Sequence, residues 1–132
     1  SEGGNALADV ILGNVNPSGK LPWTMPKKLE DSPAHATHSF PGDESVTYTE
    51  GILVGYRWFD TKNVEPLYPF GYGLSYTDFE FSDLKTDKET YSADDLIEVS
   101  FTIKNTGTMD GKEVAQLYVS DPESKIEKAA QE

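Results

Sequence analysis

The sequence predicts a mixed α/β and β chain with a long aromatic-rich segment between its two ends. Three observations support this prediction. A short helical pattern is followed by a proline-bounded extended segment at residues 20–26. Most aromatic residues fall between positions 40 and 81, where regular patterns are scarce. From residue 76 onwards, apolar and polar residues alternate as they do in antiparallel strands.

The chain is acidic and has no cysteine, which narrows its possible partners. Lys and Arg number 11 against 23 Asp and Glu, so the formal net charge is −12. A surface of this sign repels nucleic-acid phosphates and anionic membrane faces, so we expect neither as a partner. The absence of cysteine excludes disulfides and Cys-based zinc sites. Because the chain starts at Ser1, we expect a processed or excised piece, and its cellular location stays open.

Residues 1–26 predict one short helix and one extended segment. Asn5 is a suitable N-cap for a helix over residues 6–12, and Gly13 stands at its expected end. Prolines confine residues 20–26 to an edge strand or an extended segment. One helix and one such segment cannot enclose a core.

Residues 27–75 predict little regular structure but many rings that need covering. A loop of this length in a compact domain is normally functional or held between other elements. Burying a large apolar side chain is favourable by roughly 1.5–3 kcal/mol. We therefore expect this segment to pack against another surface, including one outside this chain. Five of its rings are also candidates for stacking on sugars, although interface packing is the preferred interpretation: Tyr56, Trp58, Phe59, Tyr68 and Phe70.

Residues 76–132 predict antiparallel β structure. Apolar residues alternate over residues 78–84 and 97–103, and a third strand is expected at residues 114–119. A β-sandwich has about seven strands, so these three make an incomplete one. The charged stretch 123–132 is expected to form a loop or a helical turn.

Four carboxylates lie within the aromatic segment, namely Asp43, Glu44, Glu50 and Asp60. Glycoside hydrolysis requires two carboxyl groups that face each other. Nothing in the spacing of these four fixes a facing pair, so solvated charge is the preferred interpretation. Glu50 is alternatively a partner for Arg57.

Two further motifs favour structural interpretations. His35 and His38 follow a proline in an expected loop and lack the additional ligands that a zinc site needs. The glycines at 71 and 73 lack the third glycine and the helix of a dinucleotide site. They predict a tight turn where backbone passes close to backbone. We therefore expect no metal and no cofactor.

Three blocks of the chain resemble, in order, parts of glycoside hydrolase family 3, above all its β-glucosidases. Residues 4–10 (GNALADV) and 16–22 (NPSGKLP) are similar to the end of the family's α/β sandwich domain. Residues 48–60 (YTEGILVGYRWFD) look like a stretch found in its β-glucosidases. Residues 66–79 (PLYPFGYGLSYTDF) resemble the segment that leads into the fibronectin type III-like domain.

The resemblance implies a division of the chain into three parts. Residues 1–26 would be the C-terminal end of the α/β sandwich domain. Residues 27–75 would be an aromatic-rich connector between domains. Residues 76–132 would be the N-terminal part of a truncated fibronectin type III-like β-sandwich.

The resemblance also implies a structural fragment of a retaining β-glucosidase that removes terminal β-linked glucose. Its partners would be the barrel and α/β domains of the same enzyme, with β-linked glucosides or oligosaccharides as substrates and no cofactor. The family's aspartate nucleophile and glutamate acid/base match no residue here. We therefore assign no catalytic residue and expect the chain to be inactive alone.

Two alternatives to this function remain open at the level of sequence. One is a non-catalytic carbohydrate-binding module, and the other is a fragment of a β-xylosidase of the same family. Arg57 and Trp58 are the candidates for substrate binding. For Arg57, a buried ion pair or a carbonyl contact at the seam between domains is the preferred role.

Overall fold

The computed structural model describes residues 2–132, and these form three helices and a two-stranded sheet. The mixed α/β class predicted from the sequence is confirmed. Among the described residues, no helix is long and apolar enough to cross a membrane. The helices are α1 (Gly3–Ile11), α2 (Pro33–Ala36) and α3 (Tyr56–Lys62), a 3-10 turn covers Leu29–Asp31, and the strands are β1 (Phe79–Thr86) and β2 (Val99–Asn105).

The chain divides into two compact units, each built from two stretches that are far apart in sequence. The hairpin unit comprises residues 2–18 and 74–113. The strap unit comprises residues 19–73 and 114–132. Each unit therefore depends on contacts that short-range sequence patterns do not encode.

Helix α1 starts earlier than predicted. Gly3 is its first residue and Glu2 takes the N-cap position, so the prediction of Asn5 as the N-cap was wrong. The Asn5 side-chain amide instead donates to Glu2 Oε2 at 2.5 Å. A carboxylate at a helix N-terminus is favourable and helps to offset the poor helix propensity of glycine. Gly13, at φ 76°, follows the end of the helix, as expected.

Residues 20–26 form the predicted extended segment and pair with residues 67–72. The Leu21 N–H donates to the Tyr72 carbonyl at 2.8 Å, and the Met25 N–H donates to the Tyr68 carbonyl at 2.8 Å. Met25 and Tyr68 form an isolated antiparallel bridge. Proline has no N–H to donate, which limits this pairing to short stretches.

Two helices interrupt the segment that was predicted to be irregular. Helix α2 contains His35, where a loop was expected. Helix α3 follows Gly55 and is capped at its C-terminal end by Asn63, whose backbone is left-handed with φ 53°. Aromatic residues favour strands by intrinsic preference, but tertiary packing overrides such preferences. Here the burial of Trp58 and Phe59 favours the helix.

Strands β1 and β2 pair antiparallel, and both predicted strands are confirmed close to their expected positions. Phe79 lies opposite Asn105, and Phe81 lies opposite Ile103. The register shifts between Ser82 and Lys85, which marks a β-bulge or similar irregularity.

The third strand expected at residues 114–119 was wrong. These residues are irregular, and Val119 instead exchanges two backbone hydrogen bonds with Glu132, at 2.7 and 2.9 Å. Alternation makes a strand only where a neighbouring strand presents free backbone groups. Residues 123–132 form turns and irregular backbone, within the range expected for them.

The buried apolar core is small and lies in the strap unit. Among the described residues it consists of Leu53, Trp58, Phe59 and Ala129, with Val64 packed against it. Many other large apolar side chains are exposed, on α1 as well as in the aromatic segment.

A buried amide side chain links distant parts of the hairpin unit. Asn16 is 6% exposed, and its Oδ1 accepts hydrogen bonds from the Tyr76 N–H at 2.7 Å and the Ser75 hydroxyl at 3.1 Å. Its Nδ2 donates to Ser18 Oγ at 3.2 Å. Ser18 Oγ accepts in turn from the Lys112 N–H at 3.1 Å. The side chains of Asn16 and Ser18 together thus connect the residues after α1 to those before β1 and after β2.

We expect Asn16→Ala to loosen the hairpin unit, because the Tyr76 N–H loses its acceptor. An unpaired buried donor costs about 1–3 kcal/mol, and this partly buried one belongs at the lower end. Hydrogen–deuterium exchange at the Tyr76 amide should therefore accelerate by roughly tenfold. The control is Asn14→Ala, which removes an exposed side chain bonded to Asp9 and should leave this amide unchanged. Equal exchange of the Tyr76 amide in Asn16→Ala and the unsubstituted chain would contradict the role of Asn16.

Candidate functional site

Helix α3 carries both residues that the sequence suggests for substrate binding, Arg57 and Trp58. Trp58 is only 9% exposed, and its indole Nε1 donates to the Asp31 carbonyl at 3.1 Å. Lys62 Nζ lies 5.7 Å from the centre of the Trp58 ring, within cation–π range. The structure therefore places the Trp58 ring in the core of the strap unit with its N–H satisfied.

Arg57 pairs with Glu132 rather than with Glu50. Its Nε lies 3.5 Å from Glu132 Oε1, and the guanidinium carbon lies 5.5 Å from the centre of the Tyr56 ring. The Nε atom is nevertheless buried without a hydrogen bond, and so is Glu50 Oε2. Because both side chains of the ion pair are partly exposed and the hydrogen-bond geometry is not met, the pair contributes no more than about 1 kcal/mol.

The other carboxylates suggested by the sequence lie in different surroundings. Asp43 and Glu44 are exposed in an irregular part of the chain. Asp60 lies on α3 and accepts a hydrogen bond from Gln131 Nε2 at 2.9 Å. The structure thus gives Asp60 a defined partner, while Asp43 and Glu44 match the preferred interpretation of solvated charge.

The two histidines have local roles. His35 Nδ1 lies 2.9 Å from Ser32 Oγ, and its ring packs on Phe40 with centroids 5.1 Å apart. His38 follows α2 with a left-handed backbone at φ 58°. Among residues 2–132, no three His, Asp or Glu side chains are grouped closely enough to hold a metal ion.

The glycine turn at residues 71–73 allows the close backbone approach that the sequence predicts. A Cβ atom at Gly73 would overlap the Gly19 carbonyl oxygen. The Gly71 N–H donates to the Leu21 carbonyl at 2.8 Å. Only a residue without a side chain fits at position 73 without moving the paired segment.

Residues 129–131 dock on α3. Ala129 is 7% exposed and belongs to the core, while the Ala130 N–H donates to Thr61 Oγ1 at 2.9 Å. Gln131 adds its hydrogen bond to Asp60. These contacts hold the second stretch of the strap unit against the first.

A cavity of about 250 Å³ in the strap unit has walls of aromatic rings. The Tyr56 ring packs on Phe70, with centroids 5.4 Å apart, and meets Tyr118 nearly edge-on at 5.5 Å and 73°. Phe59 lines the same cavity. Such tilted and edge-on pairs are the arrangements that aromatic rings prefer.

Polar groups line the same cavity. Thr24 is 7% exposed, and its Oγ1 is buried without a hydrogen-bond partner. The Tyr118 hydroxyl donates to Gln116 Oε1. Burial, together with the nearby Tyr56 and Asp60, raises the pKa of the Tyr118 phenol, which therefore remains a neutral donor.

The sequence indicated only part of this cavity, namely the rings of Tyr56, Phe59 and Phe70 and the carboxylate of Asp60. No local pattern marks the other polar residues, because they come from separate stretches that only the fold brings together: Thr24, Gln116, Tyr118 and Gln131.

Comparison with known proteins establishes the family. Residues 1–76 match the sequence model of the glycosyl hydrolase family 3 C-terminal domain. The chain belongs to glycosyl hydrolase family 3. The resemblance seen in the three sequence blocks is thereby confirmed.

The relatives of this family 3 chain include full-length β-glucosidases. It is 55% identical over 129 residues to β-glucosidase BoGH3A of Bacteroides ovatus, covering 96% of this chain and 17% of that protein. It is 53% identical over 130 residues to the thermostable β-glucosidase B of Acetivibrio thermocellus, covering 98% of this chain and 17% of that protein. The chain thus spans about a sixth of the length of these relatives.

Solved structures of family 3 enzymes have the same backbone arrangement. β-Glucosidase 3B from Thermotoga neapolitana, in complex with glucose, superposes with a TM-score of 0.89 at 47% identity. The match covers 99% of this chain and 18% of that one. A family 3 β-glucosidase of Bifidobacterium adolescentis gives a TM-score of 0.89 at 40% identity, covering 98% of this chain and 19% of that one.

We expect Gly73→Ala to separate the extended segment from the glycine turn, because the new methyl group overlaps the Gly19 carbonyl oxygen. Overpacking of this kind typically costs about 1–3 kcal/mol. Faster amide exchange at Leu21 and Gly71 would report the loss. Gly4→Ala is the matched control, because it adds the same methyl group to α1 where nothing lies within 4 Å. It should stabilise the helix by up to about 1 kcal/mol. Unchanged exchange in Gly73→Ala would contradict the proposed close approach.

Proposed function

We propose that this chain is the C-terminal structural part of a retaining β-glucosidase and does not hydrolyse glucosides by itself. One observation carries the proposal. The chain is 53–55% identical to two β-glucosidases along nearly all its length, yet it spans only 17% of each. The rest of the enzyme would supply the barrel and most of the α/β domain, including the nucleophile and the acid/base.

The domain layout is part of this proposal. Residues 1–26 close the α/β sandwich domain, residues 27–75 connect the domains, and residues 76–132 begin the fibronectin type III-like domain. The family match ends at residue 76, which supports a boundary there. The paired strands β1 and β2 come directly after it.

Exposed apolar side chains support docking onto the rest of the enzyme. Leu7 and Ile11 on α1 are 61% and 69% exposed, and Tyr48 in the aromatic segment is 77% exposed. Apolar surface left open to this extent is typical of an interaction surface. Its partner in our proposal is the barrel and α/β domain of the same enzyme, since covering each large side chain is favourable by roughly 1.5–3 kcal/mol.

Arg57 takes part in that docking in our proposal. Buried polar atoms are normally hydrogen-bonded, yet Arg57 Nε and Glu50 Oε2 are not. Groups from the rest of the enzyme would supply the missing hydrogen bonds. A carbonyl or carboxylate would accept from Arg57 Nε, and a donor group would bind Glu50 Oε2. Substrate binding by Arg57 or Trp58 stays a prediction, and the burial of Trp58 favours a packing role.

We expect the isolated chain to show no turnover of an aryl β-glucoside, whereas the full-length enzyme hydrolyses it. Retention requires a nucleophile that forms a covalent intermediate, and this chain supplies none. The full-length enzyme should also be assayed on the matching aryl β-xyloside, since preferential xyloside hydrolysis would identify a β-xylosidase instead. Turnover by the chain alone that Asp60→Asn abolishes would refute its inactivity.

We expect the isolated chain to unfold over a broad temperature range, because its buried apolar core is small and many of its apolar side chains are exposed. Cooperative unfolding requires a core that is lost as one unit. Differential scanning calorimetry at low protein concentration measures this, with the full-length enzyme as the comparison. A sharp transition of the chain alone would show that it folds independently.

A further inference from the structure

We propose that the bond between Asp110 and Gly111 is a site of spontaneous isomerisation, and that the isoaspartate formed there loosens the contacts of Asn16 in the hairpin unit. The reaction needs only water and does not depend on the structural role proposed above. It is supported by the residue that follows Asp110, by the irregular backbone after β2 and by the close packing of Gly111.

The sequence around Asp110 favours attack by the backbone on its own side chain. Asp110 is the only Asp or Asn in the sequence that is followed by glycine. Its carboxyl group and the next backbone nitrogen belong to the same short stretch of chain, so their reaction is intramolecular and closes a succinimide ring. A side chain on the following residue hinders this approach, and glycine has none. This bond is therefore favoured over every other aspartyl bond of the chain.

The reaction proceeds through a cyclic imide. The Gly111 nitrogen bonds to Cγ of the protonated Asp110 carboxyl group, the Cγ–OH bond breaks, and the N–H proton leaves with that hydroxyl as water. A second water molecule then adds to one imide carbonyl carbon and breaks the bond from that carbon to the nitrogen. Opening at Cγ restores aspartate. Opening at the α-carbonyl carbon leaves a main chain that continues through Cβ and Cγ, which is isoaspartate.

The backbone around Asp110 leaves the two reacting groups free to meet. Residues 106–113 form no helix or strand, and Asp110 is exposed. Among residues 2–132, no hydrogen bond or ion pair engages the Asp110 carboxylate or the Gly111 N–H. Segments with few hydrogen bonds open most readily, so the rotation that brings the nitrogen to Cγ meets little resistance.

Asp31 is in the opposite situation. It precedes Ser32, which has the smallest side chain after glycine among the residues that follow an aspartate in this sequence. Its carboxylate lies 3.9 Å from Lys28 Nζ, and the Ser32 N–H donates to the Leu29 carbonyl at 3.1 Å. Both groups that would have to react are thus engaged, so we expect no isomerisation at Asp31.

Gly111 is packed too closely to accept a longer main chain. A methyl group on Gly111 would lie 2.7 Å from Asn16 Nδ2 and 3.2 Å from Phe79 Cζ. The added carbon of isoaspartate lengthens the chain by about 1.5 Å. The next N–H, that of Lys112, donates to Ser18 Oγ at 3.1 Å, and a shift of this size breaks that bond. Because Ser18 Oγ also accepts from Asn16, isomerisation loosens the contacts of Asn16 as well.

The test is ageing of the full-length enzyme that contains this chain in ¹⁸O-labelled water at neutral pH, followed by tryptic digestion and mass spectrometry. Trypsin releases residues 105–112 (NTGTMDGK) as one peptide, because lysines at 104 and 112 bound it. Electron-transfer fragmentation distinguishes isoaspartate from aspartate. We expect isoaspartate at position 110 with one ¹⁸O atom taken up, and neither change at Asp31.

Asp110→Glu is the variant that should stop the reaction. Its carboxyl group lies one methylene farther along the side chain, and the larger ring closes less readily, so we expect complete loss of ¹⁸O uptake and isomerisation in residues 105–112. Asp43→Glu is the matched control, because it lengthens another exposed aspartate in the same way. It should leave isomerisation at Asp110 unchanged.

Hydrogen–deuterium exchange measures the expected loosening. In enzyme that contains isoaspartate, the Lys112 and Tyr76 amides should exchange about 3- to 10-fold faster than in fresh enzyme, as for the loss of one hydrogen bond. These amides donate to Ser18 Oγ and Asn16 Oδ1, respectively. Aged Asp110→Glu enzyme should exchange at both amides as its fresh form does.

Absence of isoaspartate from residues 105–112 of the aged enzyme would overturn the proposed site. Isoaspartate without ¹⁸O uptake would overturn the cyclic imide route, and isoaspartate with unchanged exchange at both amides would overturn the link to Asn16. Should Asp110→Glu fail to fold, the unsubstituted enzyme decides, since label uptake and exchange are both measured on it. Neither measurement uses glucoside hydrolysis, so failure here leaves the proposed function untouched.

Discussion

The docking of residues 129–131 onto α3 is the interaction on which the strap unit depends. Apolar burial is the main force that folds a chain, and among the described residues only four apolar side chains are buried. Trp58 and Phe59 come from α3, Leu53 precedes it, and Ala129 arrives from the far end of the sequence. Two hydrogen bonds, from Ala130 to Thr61 and from Gln131 to Asp60, hold that end in place. Without this docking, the small core loses its contact with Ala129.

In the hairpin unit, polar side chains hold distant stretches of the chain together. No apolar side chain of this unit is fully buried among the described residues. Asn16 joins the chain after α1 to the segment before β1. Thr77 donates to Asn105 Oδ1 at 2.6 Å, and the Tyr76 hydroxyl donates to the Val10 carbonyl at 2.9 Å. Linked hydrogen bonds of this kind specify one arrangement, since each buried polar atom has few alternative partners.

The cavity and the docking of the last residues have the same origin. The stretch that brings Ala129 to α3 also brings Gln116 and Tyr118 beside the Tyr56 ring. The packing that completes the core therefore also forms the cavity, which is lined by aromatic rings and polar side chains.

Local patterns predicted the parts of this protein that depend on nearest neighbours along the chain. The alternation around Phe81 and Ile103 predicted strands β1 and β2, and Gly13 marked the end of α1. The glycines at 71–73 predicted the close backbone approach. The order of three sequence blocks predicted the family. For the strands and the glycine positions, the physical requirement follows from the residue types themselves, because alternation creates an apolar face and glycine has no side chain.

Only the tertiary structure decided the rest. Residues 56–62 contain ring side chains that favour strands, yet burial against Leu53 and Ala129 makes them a helix. Residues 114–119 alternate like a strand, yet they find no neighbouring strand among the described residues and remain irregular. The aromatic-rich segment made Tyr56 and Phe70 candidate contact residues, but no local sequence pattern indicated that Thr24 and Tyr118 would line the same cavity. Strand pairing and side-chain burial both depend on which distant stretches of the chain come into contact. A periodic pattern shows which residues share a face of an element, but it does not show which residues that face contacts.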